Sequence, residues 1–257
     1  MAQIFTVTNQ KGGTGKTTTA AALSAGLQLK GFTTLLIDLD AQGNLSYATG
    51  ADRTGLTIAD LLQQILTGGT PRTAEAIKPT EQGDIITAAA SLAGADTILA
   101  ETLGKEYKVK EILEPIKGRY DYIVIDTPPT LGTLTINALT AADKVIAPAQ
   151  AEVFSLTALD QLQSTIATVR RYTNPNIELS GILLTRYNPR AVLSREIAQR
   201  LEQTAAQYGT KLYKATIREC TALKEAEITQ QSIFKYAPKS NAAKDYTALI
   251  NEILERG

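Results

Sequence analysis

The run Asn9-Gln10-Lys11-Gly12-Gly13-Thr14-Gly15-Lys16-Thr17-Thr18-Thr19 contains the residue types that grip a chain of phosphates. Glycines let backbone N–H groups approach anionic oxygens closely, and a helix opening behind them contributes its positive end. In this reading Gly12, Gly13, Thr14, Gly15 and Thr18 line the cradle. Lys16 reaches the β- and γ-phosphates, and the Thr17 hydroxyl ligates Mg²⁺. The fit to G-x-x-x-x-G-K-[ST] is loose, because Gln10 stands at the first glycine position and the glycines fall later, at Gly12 and Gly13. Context separates the run from an ordinary Gly-rich turn: an apolar strand precedes it, and Lys-Thr-Thr opens a helix after it. Lys11 precedes the glycines and lies too early to share the role of Lys16. Taken alone, it reads as a solvated loop lysine.

Two further segments supply carboxylates. In Leu36-Ile37-Asp38-Leu39-Asp40 the two acids stand on alternate residues at the end of an apolar run, so they point to the same side. Ligands of α/β sheets bind at the carboxyl ends of strands, which is where these acids lie. Tyr122-Ile123-Val124-Ile125-Asp126 is an apolar strand ending in an acid. That pattern assigns Asp126 to Mg²⁺ through a water. The alternative is an Asp capping the turn that follows.

These residues need a scaffold. Near-continuous apolar runs predict strands over Ile4–Thr8, Thr33–Asp38, Tyr120–Asp126, Lys144–Pro148 and Leu179–Thr185, with a shorter one over Leu212–Ile217. Helical patterns fill Thr17–Lys30, Phe154–Tyr172 and Ser194–Tyr208 between them; Gly31 and Gly209 end the first and third. The alternation reads as α/β: a mostly parallel, twisted sheet with helices on both faces. Residues 54–118 are less regular, and short helices with one strand near Asp84–Ala88 are expected there. No repeat or linker divides the chain, so residues 1–257 read as one domain.

Composition narrows the function. Lys and Arg total 26 against 26 Asp and Glu, which argues against a generally basic nucleic-acid coat and against a disordered acidic chain. Histidine is absent and Cys220 is the single cysteine, so intramolecular disulfides, Cys- or His-based zinc cages and Ser-His-Asp catalysis are excluded. No basic stretch leads into an apolar signal core, and no apolar run reaches the ~18 residues of a membrane span. The expectation is a soluble cytoplasmic protein.

With its lysine ahead of the glycines, K-G-G-x-G-K-T-T, the loop resembles that of the ParA/MinD family of deviant Walker-A P-loop ATPases (SIMIBI type), in particular the small Soj-like ParA partition ATPases. The resemblance implies that Lys11 crosses a homodimer interface to phosphates bound by the other subunit, acting in trans like an arginine finger. It implies that Asp40 orients or activates the attacking water and that Asp38 lies near the metal shell. The family writes that segment D-x-D-P-Q-G-N, and here Ala41 replaces the proline. Thr127–Asn137 resembles the second switch. Matching motifs run from residue 3 to about 250. Among them are Ile217-Arg218-Glu219, Leu223 and Glu225-Ala226, which in relatives flank the adenine pocket. Arg218 is either an adenine-side contact or part of a DNA-facing basic patch.

The resemblance leaves three functional branches. A partition ATPase would bind ATP and Mg²⁺, dimerise, bind DNA non-specifically and answer to a ParB-like activator; its intrinsic hydrolysis would be weak, and it would join the nucleoid when ATP-bound. Such small relatives begin almost at the first strand, as here, so no operator-reading helix-turn-helix is expected. Candidate phosphate contacts are Arg170, Arg171, Arg186, Arg190, Arg195, Arg200, Lys211, Lys214, Arg218, Lys235, Lys239 and Lys244. Arg190 ranks first because relatives carry a DNA-contacting arginine there, and Arg218 ranks second. A MinD-like membrane ATPase would need a basic amphipathic C-terminal helix. The tail has an apolar stripe (Tyr246, Leu249, Ile250, Ile253, Leu254), but Asp245, Glu252 and Glu255 on its polar face would be repelled by an anionic membrane. The stripe is expected to pack on the core, with no stable membrane association. The third branch is a metabolic ATP-dependent enzyme. A nitrogenase-type iron protein is disfavoured by the single cysteine, and no dedicated site for the carboxylate substrate of an amidating enzyme is evident.

Overall fold

Alternating side chains on the central strands feed opposite faces of one sheet, and both sides are buried. Phe5, Val7, Leu36, Val124 and Ile146 enter one core. Ile4, Leu35, Ile37, Ile123 and Ile125 enter another. A strand apolar on both sides is stable only inside a three-layer sandwich. The computed structural model, which describes residues 2–100 and 102–255, has that architecture.

The strands are β1 (Gln3–Val7), β2 (Thr34–Asp38), β3 (Ile77–Lys78), β4 (Asp84–Ile86), β5 (Tyr122–Asp126), β6 (Lys144–Gln150) and β7 (Glu178–Thr185). They form a 7-stranded sheet in the order β3-β4-β2-β5-β1-β6-β7. β3 pairs antiparallel at the edge and the other pairs are parallel. The helices before β5 are α1 (Lys16–Leu29), α2 (Asn44–Ala48), α3 (Ile58–Leu66), α4 (Thr73–Ala76), α5 (Ala95–Ala100) and α6 (Lys108–Leu113). After it come α7 (Thr133–Ala141), α8 (Phe154–Tyr172), α9 (Val192–Gln207), α10 (Thr221–Ile228), α11 (Ile233–Tyr236) and α12 (Asn241–Leu254).

One face is covered by α1 and α10–α12, the other by α3 and α5–α7. A third cluster packs α8 and α9 on the β6–β7 end. The apolar stripe of α12 is spent on this core: Tyr246, Leu249, Ile250 and Ile253 are buried. Among the described residues, no helix is long and apolar enough to cross a membrane.

The expected strand over Leu212–Ile217 does not form. Only isolated bridges join Leu212 to Ile182 and Ile217 to Thr185. The reason is a competing acceptor: the N–H groups of Lys214 and Ala215 donate to Glu252 Oε2 at 2.9 and 3.1 Å instead of to a ladder. The middle section resolves into short helices around β4, as anticipated, with β3 added as an edge strand. The third predicted helix starts earlier, at Val192.

Candidate functional site

The phosphate-type loop leaves the end of β1 and turns into α1 through two left-handed glycines, Gly13 (φ 73) and Gly15 (φ 84). A Cβ is disfavoured at such angles, so glycine is required there. Gly15 is the N-cap of α1 and offers no side chain, and the first turn holds no acid, so the amide groups and positive end of the helix stay open for an anion. Three side-chain hydrogen bonds tie the loop to distant elements. Asn9 Nδ2 donates to Pro148 O at 2.7 Å, Gln150 Nε2 to Gly13 O at 2.8 Å, and Thr185 Oγ1 to Thr14 O at 2.8 Å. Asn9 lies in the loop's own run, whereas Gln150 and Thr185 come from the ends of β6 and β7, and no local spacing marks those two.

The loop borders a cavity of about 530 Å³ whose walls include Gly12, Gly13, Gly15, Lys16, Thr17, Thr18, Asp40 and Pro129. That volume suits a nucleotide. Lys16 is buried, its ammonium donating to Lys11 O at 3.3 Å. Burial lowers its pKa, while Asp126 and Asp40 pull it back up. Such an ammonium is short of partners and suited to anionic oxygens.

Asp38 and Asp126 end neighbouring parallel strands in register. Thr17 Oγ1 donates to Asp126 Oδ2 at 2.7 Å, while the buried Asp126 Oδ1 has no hydrogen-bond partner in the described structure. Burial, then the Asp38 charge, push the Asp126 carboxyl up to about 8. An orphaned carboxylate oxygen beside a threonine hydroxyl fits a hydrated Mg²⁺, which keeps most of its waters and needs few protein ligands. No group of three or more metal-binding side chains is clustered among the described residues.

Asp38 has another occupation. Its Oδ2 accepts from Ser46 N (2.8 Å) and Ser46 Oγ (2.7 Å), and its Oδ1 accepts from Asp40 N at 3.2 Å. Burial still pushes its pKa up to about 6. These bonds tie α2 to the end of β2. Asp40 accepts from Gln42 N at 3.0 Å and faces the cavity. The turn closes without the family's proline, through Gly43 N to Asp40 O at 2.8 Å.

Lys11 does not border this cavity. Its ammonium pairs with Glu152, just beyond β6. Beside the phosphate cavity lies a second one of about 160 Å³, bordered by Thr185, Arg186, Ile217, Arg218, Glu219, Cys220, Leu223, Lys224 and the buried Tyr246. Arg218 thus borders this second cavity, its guanidinium donating to Asp245 Oδ2 (3.0 Å) and Oδ1 (2.5 Å). Arg190 is exposed on the loop before α9 and borders neither cavity. Several other basic candidates are already engaged. Arg170 donates to Ile177 O, while Lys211 and Lys235 pair with Glu252 and Glu81.

The model of a family described as an AAA domain matches residues 2–179. The sporulation initiation inhibitor protein Soj of Bacillus subtilis is 38% identical over 259 aligned positions, with 100% of both chains covered. This chain belongs to the ParA/MinD family of deviant Walker-A ATPases. The chromosome partitioning protein ParA of Caulobacter vibrioides is likewise 38% identical, covering 99% of this chain and 94% of that protein. Among solved structures, cobyrinic acid a,c-diamide synthase from Mycobacterium smegmatis with bound ADP and magnesium superposes with a TM-score of 0.83 at 33% identity, covering 99% of this chain and 94% of that one.

Proposed function

We propose that this protein is a ParA-type ATPase that binds Mg²⁺·ATP, closes into a sandwich homodimer, binds DNA without sequence preference and thereby positions a cargo. The full-length likeness to Soj and ParA supports the partition reading. The observation that carries the switch reading is the position of Lys11: on the shoulder of the loop, outside the cavity that Lys16 serves. A lysine so placed is suited to phosphates bound by a facing subunit.

In this proposal Lys16, with the amides of Gly12–Thr18, holds the phosphates, and Lys11 adds charge from the partner as hydrolysis proceeds. Asp40 orients the attacking water. Thr17 and Asp126 hold the Mg²⁺, which neutralises charge on the β- and γ-oxygens when bound. Arg218 and its Asp245 partner flank the base. DNA phosphates are met by cations left unengaged, Arg190 foremost. Intrinsic turnover is slow and is raised by a ParB-like activator, since a switch needs a long-lived ATP state. The protein resides in the cytoplasm and joins the nucleoid when ATP-bound. The burial of the α12 stripe supports DNA over a membrane as the docking surface.

The test is binding of the Asp40→Ala protein to an arbitrary duplex with ATP, with ADP and without nucleotide, across a salt series. ATP-dependent, sequence-independent binding that weakens with salt is expected, with Arg190→Ala reducing the salt slope by about one. Arg218→Ala should lower nucleotide affinity and leave that slope unchanged. An ATP dimer that ignores DNA at low salt would overturn the reading and favour a membrane or an amidating role.

A further inference from the structure

Four residues border both the cavity at the phosphate-type loop and the second cavity beside it: Gly15, Thr18, Arg186 and Glu227. With the phosphates in the first cavity and the base in the second, a nucleotide's ribose and α-phosphate would lie where the two meet. Gly15 and Thr18 belong to the loop. Arg186 and Glu227 belong to no phosphate-binding motif and come from the end of β7 and from α10.

Both carry marks of a ligand site. Arg186 is one of two non-glycine residues with a positive φ among the described residues, at 49°. A left-handed arginine is strained, and such strain concentrates at ligand-binding positions. Its guanidinium has no hydrogen bond or ion pair among the described residues. Glu227 is half-buried, and its Oε1 accepts from the Thr18 hydroxyl at 2.6 Å, which leaves Oε2 without a donor among the described residues. The two opposite charges share two cavities yet are not paired with each other.

Resting on the nucleotide-site reading, we propose that Arg186 and Glu227 form a clamp on the sugar–α-phosphate junction. Glu227 accepts hydrogen bonds from the ribose hydroxyls, and the Arg186 fork engages the α-phosphate. A carboxylate acceptor is suited to the vicinal diol of a ribonucleotide, and a guanidinium to a phosphate oxygen pair. A deoxyribonucleotide would leave the Glu227 oxygen unmatched, so the clamp selects the ribonucleotide. The Thr18–Glu227 hydrogen bond sets the carboxylate against the loop, coupling sugar recognition to the phosphate cradle.

The test uses ADP and 2′-deoxy-ADP with Mg²⁺, titrated calorimetrically into the full chain and its Glu227→Gln, Arg186→Gly and Lys16→Ala variants. The unsubstituted protein should prefer ADP by roughly 10- to 100-fold, the worth of a hydrogen bond to a charged group. Glu227→Gln should collapse that preference by weakening ADP alone. Arg186→Gly should weaken both nucleotides alike while leaving the melting temperature unchanged or higher, because glycine relieves the positive φ. If the protein binds ADP, Lys16→Ala does not, and Glu227→Gln keeps the preference or Arg186→Gly keeps ADP affinity, the clamp is wrong and the nucleotide site stands. If ADP does not bind at all, the nucleotide-site reading falls and the clamp falls with it.

Discussion

Lys11 and Glu152 are ion-paired within one protomer, and the pair holds the Lys11 ammonium outside the cavity that its own loop encloses. The two side chains are 27% and 51% exposed. A pair so open to solvent contributes roughly 0–1 kcal/mol to folding. In the proposed dimer its effect would belong to assembly, since Lys11 would have to leave Glu152 before reaching a partner's phosphates. Glu152→Gln in an Asp40→Ala background should therefore dimerise at several-fold lower ATP, with an unchanged melting temperature. Light scattering behind a sizing column gives the answer. A variant that no longer dimerises would mean that Glu152 builds the interface and does not restrain Lys11.

Ser46 is the hinge of the Asp38 arrangement. Its hydroxyl donates to Asp38 and accepts from Ala88 N at 3.0 Å, all in a buried setting. Ser46→Ala strands the Ala88 amide and removes one of the donors that stabilise the Asp38 carboxylate. The expected cost is about 1–3 kcal/mol in chemical denaturation, the penalty for orphaned buried polar groups. The Asp38 pKa should move further up, because the lost donor favoured the charged form. Full stability in Ser46→Ala would show that water replaces the hydroxyl.

Thr185 tests whether the cradle is preorganised from outside. Its hydroxyl reaches Thr14 O from the end of β7, on the same strand that leads into Arg186. Thr185→Val keeps the branched shape and loses the donor. ATP affinity should fall several-fold, matching a hydrogen bond of about 1 kcal/mol. Unchanged affinity in a titration would show that the glycines alone set the loop.

These residues also mark where sequence reading stops. The loop over Gly12–Thr18, which borders the cavity, was legible because a contiguous set of residue types marks it. Asp126 was legible because an acid ending an apolar strand is local too. Gln150, Thr185, Ser46, Glu152 and Glu227 act across the fold, and no spacing announces them. Arg186 was read only as a possible DNA contact, because a left-handed arginine has no sequence signature. The Leu212–Ile217 strand failed for a related reason: apolar content favoured a ladder, but Glu252 on α12, far along the chain, took its amides. The apolar stripe of α12 succeeded because its periodicity is local.

That helix supplies a last test. Gly26 on α1 lies under α12 so closely that an added Cβ would meet Ile250 Cδ1 at 2.0 Å and Phe234 Cζ at 3.1 Å. In an exposed helix, Gly→Ala stabilises by about 1 kcal/mol. Here the steric conflict should reverse the sign, costing roughly 1–3 kcal/mol as overpacked cores do. The consequence reaches the candidate site, because α12 presents Asp245 to Arg218 and Tyr246 to the second cavity. Gly26→Ala should thus lower both melting temperature and nucleotide affinity. Ile250→Val removes the obstructing methyl, so the double variant should recover most of both losses, a coupling that a denaturation cycle reads directly. Additive losses in the double variant would show that α1 and α12 do not meet at this point.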